Sequence, residues 1–336
     1  MKYILPVPEL QIGDILMVNR NDTTASRIRE KTNSNYSHVL IYRGDNCFLE
    51  SDGLGVTSVN PCRLLFEKFE DACVLRLKDI SELSKLAQSI GNAANKIGTS
   101  YASPKEVLRG INCEDEEVVA NQPNRQFCTR FVAQIYKVAG LPIVKNADYC
   151  SPKDFEDSSM LFNLNISLLE ASQKQIDFAN EKNPPIQLSN DATYNFFEGV
   201  RAIVSEDIQT FPQAEEFLLS NPQFDEQITT ILETTDYLWV GDFERELNSH
   251  LYDFDSFIQY YGFEDALNYA ISDLQNEINR TFNFRNSIDK YKKLYDETSL
   301  KYFDVHYKCY QRQLQFSQER FTVFSQVIMS RHDYGY

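Results

Sequence analysis

The chain has 336 residues, with 33 Lys plus Arg against 49 Asp plus Glu for a net charge of -16, and 42% of it is hydrophobic. That is enough apolar material for a sizeable core in roughly two domains of about 150 residues, with no need of a disulfide or metal staple. The acidic balance argues against nucleic-acid and anionic-membrane partners, which both draw on cationic side chains, and the 12 glycines form no P-loop or GxGxxG to cradle a phosphate.

The opening MKYILPVPEL is cut by Pro6 and Pro8 and is too short for a signal-peptide core. No run approaches the roughly 18 apolar residues that span a bilayer, so we expect no integral membrane segment. Cytoplasmic location, or export by a signal-independent route, is the matching expectation. Short β-like runs follow at 14–19, 37–43, 47–51 and 73–77, separated by Gly, Asn and Asp turns. Helical patterns cover 80–97 and 128–139, the second closed by Gly140. The stretch 172–192, with Pro184-Pro185 and many Asn, Gln and Lys, reads as a linker.

Beyond it the pattern is helical. Pro212 suits a first helical turn. Leu267, Ala270, Ile271, Leu274 and Ile278 mark one helix face, and Ile288, Tyr291, Tyr295, Tyr302 and Val305 mark a longer one. Charge follows the same division: residues 1–165 hold 19 basic and 21 acidic side chains, residues 166–336 hold 14 and 28. The expected fold class is α+β, with a first domain at 1–165, a linker at 166–192 and an acidic all-α domain at 193–336.

The seven Cys are an odd number without a CxxC pair, which reads as reduced thiols, and the four His are scattered without an HExxH. We expect neither metal nor cofactor. Residues 37–43 and 47–51 flank the turn Gly44-Asp45-Asn46. Centring the hairpin on residue 44 sets His38 opposite Glu50, where a carboxylate can orient the imidazole and favour its protonated form. A surface His–Glu pair has the same spacing. Cys128 begins a helix whose apolar face carries Phe131, Ile135 and Val138, and a thiol in a first helical turn has its pKa lowered by the helix dipole. A buried packing Cys fits the same position. Together the three residues supply a nucleophile, a base and a group that orients the base, and the Cys128 backbone N–H is placed for an oxyanion.

Six stretches in this order carry a family resemblance: Gly13-Asp14-Ile15-Leu16, Ser37-His38-Val39-Leu40-Ile41-Tyr42, Phe48-Leu49-Glu50-Ser51 with Gly55-Val56, Gly98-Thr99-Ser100-Tyr101, Phe127-Cys128-Thr129-Arg130-Phe131-Val132, and Ser151-Pro152-Lys153-Asp154-Phe155. Across about residues 10–160 the chain resembles the circularly permuted papain-like NlpC-type cysteine hydrolases of the YiiX/YebB-like branch. More distantly it resembles the lecithin:retinol acyltransferase-like enzymes. The resemblance implies a permuted papain-like domain with Cys128 as nucleophile, His38 as base, Glu50 as third polar residue and Tyr101 near the substrate. Many YiiX-like relatives carry Ser-Glu after the nucleophile, where this chain has Thr129-Arg130. The second half resembles no family known to us.

The implied reaction is cleavage of an amide, peptide or isopeptide bond through a Cys128 thioester. Thiol-dependent lipid acyl transfer or ester cleavage is the alternative within the same chemistry. A different class is an inactive papain-like platform whose acidic helices bind a protein partner. The Tyr and Phe stripe reads first as core packing. Cys47, Cys113, Cys150, His250, His306 and His332 read as structural or surface residues, and the acidic run Glu114-Asp115-Glu116-Glu117 reads as an exposed loop.

Overall fold

The structure is a computed structural model and describes residues 1–112 and 120–332. Cys113 and the acidic run 114–117 lie outside the described residues. The chain forms an α+β fold in two compact units, Met1–Ala214 and Glu215–Tyr336.

The first unit is built on strands β1 (Tyr3–Ile4), β2 (Ile15–Val18), β3 (His38–Gly44), β4 (Cys47–Asp52), β5 (Gly55–Val59), β6 (Ala72–Leu77), β7 (Leu161–Asn163) and β8 (Leu169–Glu170). Its helices are α1 (Thr23–Thr32), α2 (Leu83–Ala93), α3 (Pro104–Asn112), α4 (Cys128–Val138), α5 (Pro152–Glu156), α6 (Gln173–Ala179) and α7 (Pro185–Ile203). Six strands make an antiparallel sheet in the order β5-β4-β3-β2-β6-β7, and β1 pairs with β8.

Alternation sorts the sheet's residues into two cores. Ile15, Met17, Val39, Ile41 and Leu49 join Leu86 and Ile90 of α2 and Phe131, Val132, Ile135 and Tyr136 of α4. Leu16, Leu40, Tyr42, Phe48 and Val74 join Leu5, Leu10, Phe66 and Leu168. With both faces covered, these strands read as near-continuous apolar runs rather than alternating ones.

The hairpin register differs from the expected one. Asp45 and Asn46 both have positive φ (52° and 50°), so the turn is a two-residue one of the kind that twists with its strands. A bulge between Tyr42 and Gly44 then sets Leu40 opposite Glu50 and Gly44 opposite Cys47. Position 38 therefore lies across from position 52, and Glu50 is its diagonal neighbour. Because the shift is two residues, His38 and Glu50 keep the same face.

Several elements have weak sequence signals. Residues 166–192 contain β8, α6 and the start of α7 and belong to the first unit. Helix α7 covers the edge strand β5, where Asn190 Nδ2 donates to Ser58 O at 2.9 Å and Asn190 Oδ1 accepts from Ser58 N at 3.1 Å. This side-chain amide satisfies a strand edge that would otherwise be open to pairing.

Helix α8 (Phe211–Ser220) follows, with Pro212 as its second residue. The second unit contains α9 (Asp225–Thr234), α10 (Val240–Leu247), α11 (Phe254–Tyr261), α12 (Phe263–Thr298) and α13 (Lys301–Met329). Leu267, Ala270, Phe257, Val323 and Phe324 form one core, whereas Ile271 and Ile278 are 57% and 44% exposed, so the apolar face is narrower than their spacing suggests. The stripe read across 288–305 is broken by Ser299, which is left-handed at φ 58° and ends α12 before α13 begins. Tyr291 and Tyr302 are nonetheless both buried, one from each side of that break.

Candidate active site

Cys128 is the first residue of α4, following the extended Phe127. The N–H groups of a first helical turn have no acceptor within the helix and point along its positive end. Helix α4 packs on β3, β4 and α2, which brings this terminus to the start of β3. There the His38 imidazole and the Val39 backbone N–H act electrostatically on the Cys128 thiol. His38 Nε2 is hydrogen bonded to Glu50 Oε2. All three side chains are buried: Cys128 is 7% exposed, His38 4% and Glu50 6%.

The electrostatics favour an ion pair. Burial opposes charge on His38, but the Cys128 sulfur and the Glu50 carboxylate overcome it and push the imidazole up to about 9. Burial likewise opposes the thiolate. The His38 imidazolium, the Val39 N–H and Arg20 hold the Cys128 thiol below its usual value all the same. Both shifts favour the imidazolium–thiolate form over the neutral pair. Cys150, buried nearby, is pushed well up by burial and by Asp154, and stays a thiol.

Tyr101 is carried to the same place by a chain of backbone bonds. Val56 N donates to Thr99 O at 2.8 Å and Gly98 N to Val56 O at 3.0 Å, so the 98–101 segment docks on β5. Gly55 makes this approach possible: with φ +125°, a Cβ there would lie 2.1 Å from Thr99 O. Gln126 N donates to Ser100 O at 3.1 Å and Ala102 N to Gln126 O at 2.8 Å, tying the segment to the loop before Cys128. Burial and the nearby negative charges of Cys128 and Asp52 keep the Tyr101 phenol protonated. Gln209 supports the segment by accepting from Ser100 N at 2.9 Å.

The departure at Thr129-Arg130 is internal. Thr129 Oγ1 donates to Cys150 O at 2.7 Å. Arg130 is fully buried, pairs with Glu106 of α3 at 2.7 Å, and donates to the carbonyls of Asp148 and Arg125 at 2.8 and 3.2 Å. Its guanidinium lies 4.4 Å from the Phe127 ring centre and 5.1 Å from that of Tyr149. These residues fasten the N-terminus of α4. Gly13-Asp14 is also structural: Tyr136 donates its hydroxyl to Gly13 O at 2.5 Å, and Arg76 binds Asp14 at 2.7 Å. In Ser151-Pro152-Lys153-Asp154, Asp154 accepts from the Ser151 N–H and hydroxyl at 2.7 Å, capping α5.

Sequence reading missed Arg20, in the loop after β2, which donates to Glu50 at 3.0 Å and to Asp52 at 2.9 Å. Nothing local marks it, because its partners are thirty residues away in the chain. Among the described residues no group of three or more His, Cys, Asp or Glu could hold a metal, and no helix is long and apolar enough to cross a membrane.

No family model matches the chain. It is 26% identical over 178 residues to the probable lipoprotein peptidase YaeF of Escherichia coli K12, an alignment covering 45% of this chain and 64% of that protein's length. The crystal structure of metalloprotein YiiX from Escherichia coli O157:H7 aligns with a TM-score of 0.33 and 18% identity over 47% of this chain and 97% of that one. The likeness to the YaeF peptidase agrees with the YiiX-like, papain-like resemblance carried by the chain's own motifs.

Proposed function

We propose that the first unit is a cysteine hydrolase that cleaves an amide, peptide or isopeptide bond. The observation that carries this reading is a buried Cys128 at a helix N-terminus under the influence of a buried His38 ring whose Nε2 is held by Glu50. The peptidase named among its relatives supports the same class.

In the proposed reaction the Cys128 thiolate attacks the carbonyl carbon, and the carbonyl's electron pair moves to oxygen. The Cys128 N–H donates to that oxyanion, and the Tyr101 hydroxyl is a second donor on the substrate side. As the carbonyl re-forms, the C–N bond breaks and His38 gives its proton to the leaving amine. Water then attacks the thioester carbon, His38 takes the water's proton, and the C–S bond breaks to release the acid and the thiolate. Glu50 holds the ring in place through both steps. A lipid or ester acyl group would follow the same course with an alkoxide leaving, and the acceptor decides between hydrolysis and transfer.

The test is peptide-resolved alkylation of the folded chain by iodoacetamide against pH, with the other cysteines as controls, together with mass analysis after an activated ester such as p-nitrophenyl acetate. The expected result is a Cys128 profile well to the acid side of Cys47 and Cys62, moved up in His38→Ala, with an acetyl group on Cys128. A Cys128 profile like that of the other thiols, with no acetyl adduct, would sink the reading. The acidic helices would then become the functional part, as a binding surface for a protein partner.

A further inference from the structure

Arg20 occupies the loop between β2 and α1, and its backbone is fixed at both ends. Its N–H donates to Ser37 Oγ at 3.1 Å, and its carbonyl accepts from Arg29 Nη1 at 2.6 Å. Its guanidinium then forks, Nη2 to Glu50 Oε2 at 3.0 Å and Nη1 to Asp52 Oδ2 at 2.9 Å. Glu50 and Asp52 are alternate residues of β4 and so stand on one face, spaced for a planar fork. The Glu50 oxygen that Arg20 binds is the same Oε2 that meets His38.

We propose that Arg20 is a positioning residue of the candidate site, clamping Glu50 in the orientation that meets His38 and setting a fixed positive charge beside the Cys128 sulfur. The proposal rests on the hydrolase reading above. Glu50 alone has two opposed effects: it favours the imidazolium, and its negative charge disfavours the thiolate. A guanidinium bound to it keeps the first effect and offsets the second, and it carries its charge at every working pH. The Arg20 side chain is 37% exposed and that of Asp52 33%, so the clamp stands at the watered rim of a site whose three reacting groups are buried.

The titratable groups coupled electrostatically to the Cys128 sulfur include His38 on β3, Arg20 on its loop, Tyr101 on the docked segment and Cys150 before α5. Burial and the sulfur's charge keep Tyr101 and Cys150 neutral, so His38 and Arg20 supply the positive charge.

The test uses the full chain as wild type, Arg20→Gln, Arg20→Lys and His38→Ala, with the Cys128 alkylation midpoint read against pH. Arg20→Gln is expected to raise the midpoint by about one pH unit, equivalent to a tenfold change in the ionisation constant. Arg20→Lys, which restores the charge without the fork, is expected to bring most of it back. Arg20→Met, keeping the apolar stem, replaces the Gln variant if that one does not fold. A residue that merely supports the fold would change the melting temperature or the amplitude and leave the midpoint alone, and that result overturns the proposal. A wild-type Cys128 that titrates like Cys62, unmoved by His38→Ala, refutes the hydrolase reading instead. A low wild-type midpoint that His38→Ala raises and Arg20→Gln does not refutes only the role of Arg20.

Discussion

Removing Glu106 tests whether a buried ion pair holds the helix that Cys128 begins. One Glu106 oxygen accepts from Arg130 Nη2 at 2.7 Å, the Tyr149 hydroxyl at 2.8 Å, Asn121 N at 3.1 Å and Gln122 N at 3.3 Å. Arg130 has no exposed surface and Glu106 is 3% exposed. Burial raises the Glu106 carboxyl, but its bonds to Arg130 and Tyr149 prevail and hold it below the usual carboxylate range. Glu106→Ala leaves a guanidinium buried without its counter-charge, which costs about 3–5 kcal/mol. Glu106→Gln keeps an acceptor and loses only the charge, so about 1.5–3 kcal/mol is expected. The assay is urea-dependent alkylation of Cys73 and Cys150, buried thiols of the first unit that report its opening separately from the second. With a slope near 2 kcal/mol per molar, Glu106→Ala should move the midpoint down by about 2 M. The sign with pH follows from the lowered carboxyl: this stabilisation is present above the unfolded value and is lost as pH falls through the folded one. A loss under about 1 kcal/mol for Glu106→Ala would refute the reasoning, because the carbonyls of Asp148 and Arg125 would then suffice for Arg130.

Three further predictions follow from local geometry. Gly55→Ala puts a Cβ against Thr99 O on a backbone at φ +125°, so it should destabilise the first unit by about 1–3 kcal/mol and lower Cys128 acetylation by displacing Tyr101; a wild-type melting curve and rate would count against the docking role. In the second unit His306 is packed among Tyr291, Tyr302 and Tyr237, and burial with Lys290 pushes it down to about 3. Since its unfolded form binds a proton more readily, stability is complete above its ordinary value near 6.5 and falls by about 1.4 kcal/mol per pH unit below it; His306→Leu should flatten that acid limb in a pH series of urea melts. Ser299→Gly should stabilise the second unit by about 1 kcal/mol, because Ser299 pays a left-handed penalty that glycine does not; a lowered melting temperature would be the contrary result.

The chain's local patterns determined the strands β2, β3, β4 and β6 and the helix α4, since burying apolar faces leaves a period that can be read directly. They also set His38 and Glu50 on one side of the sheet. The hairpin turn shifted their register by two residues, and a side-chain period of two leaves the shared face intact. What local pattern could not contain is the meeting of Cys128 with His38, ninety residues apart, which depends on how α4 packs across β3 and β4. Arg20 is legible only once β4 lies beside its loop. The Thr129-Arg130 pair, a departure from the resembled family in sequence, turns inward in three dimensions, because α3 and the loop before Cys128 supply partners for the guanidinium. The same holds for residues 166–192, whose polar, proline-bearing composition suits a linker; Asn190 and the α7 face become structural only against the edge of β5. Periodicity specifies what a segment can become, and the packed neighbours decide which of its polar groups find a partner.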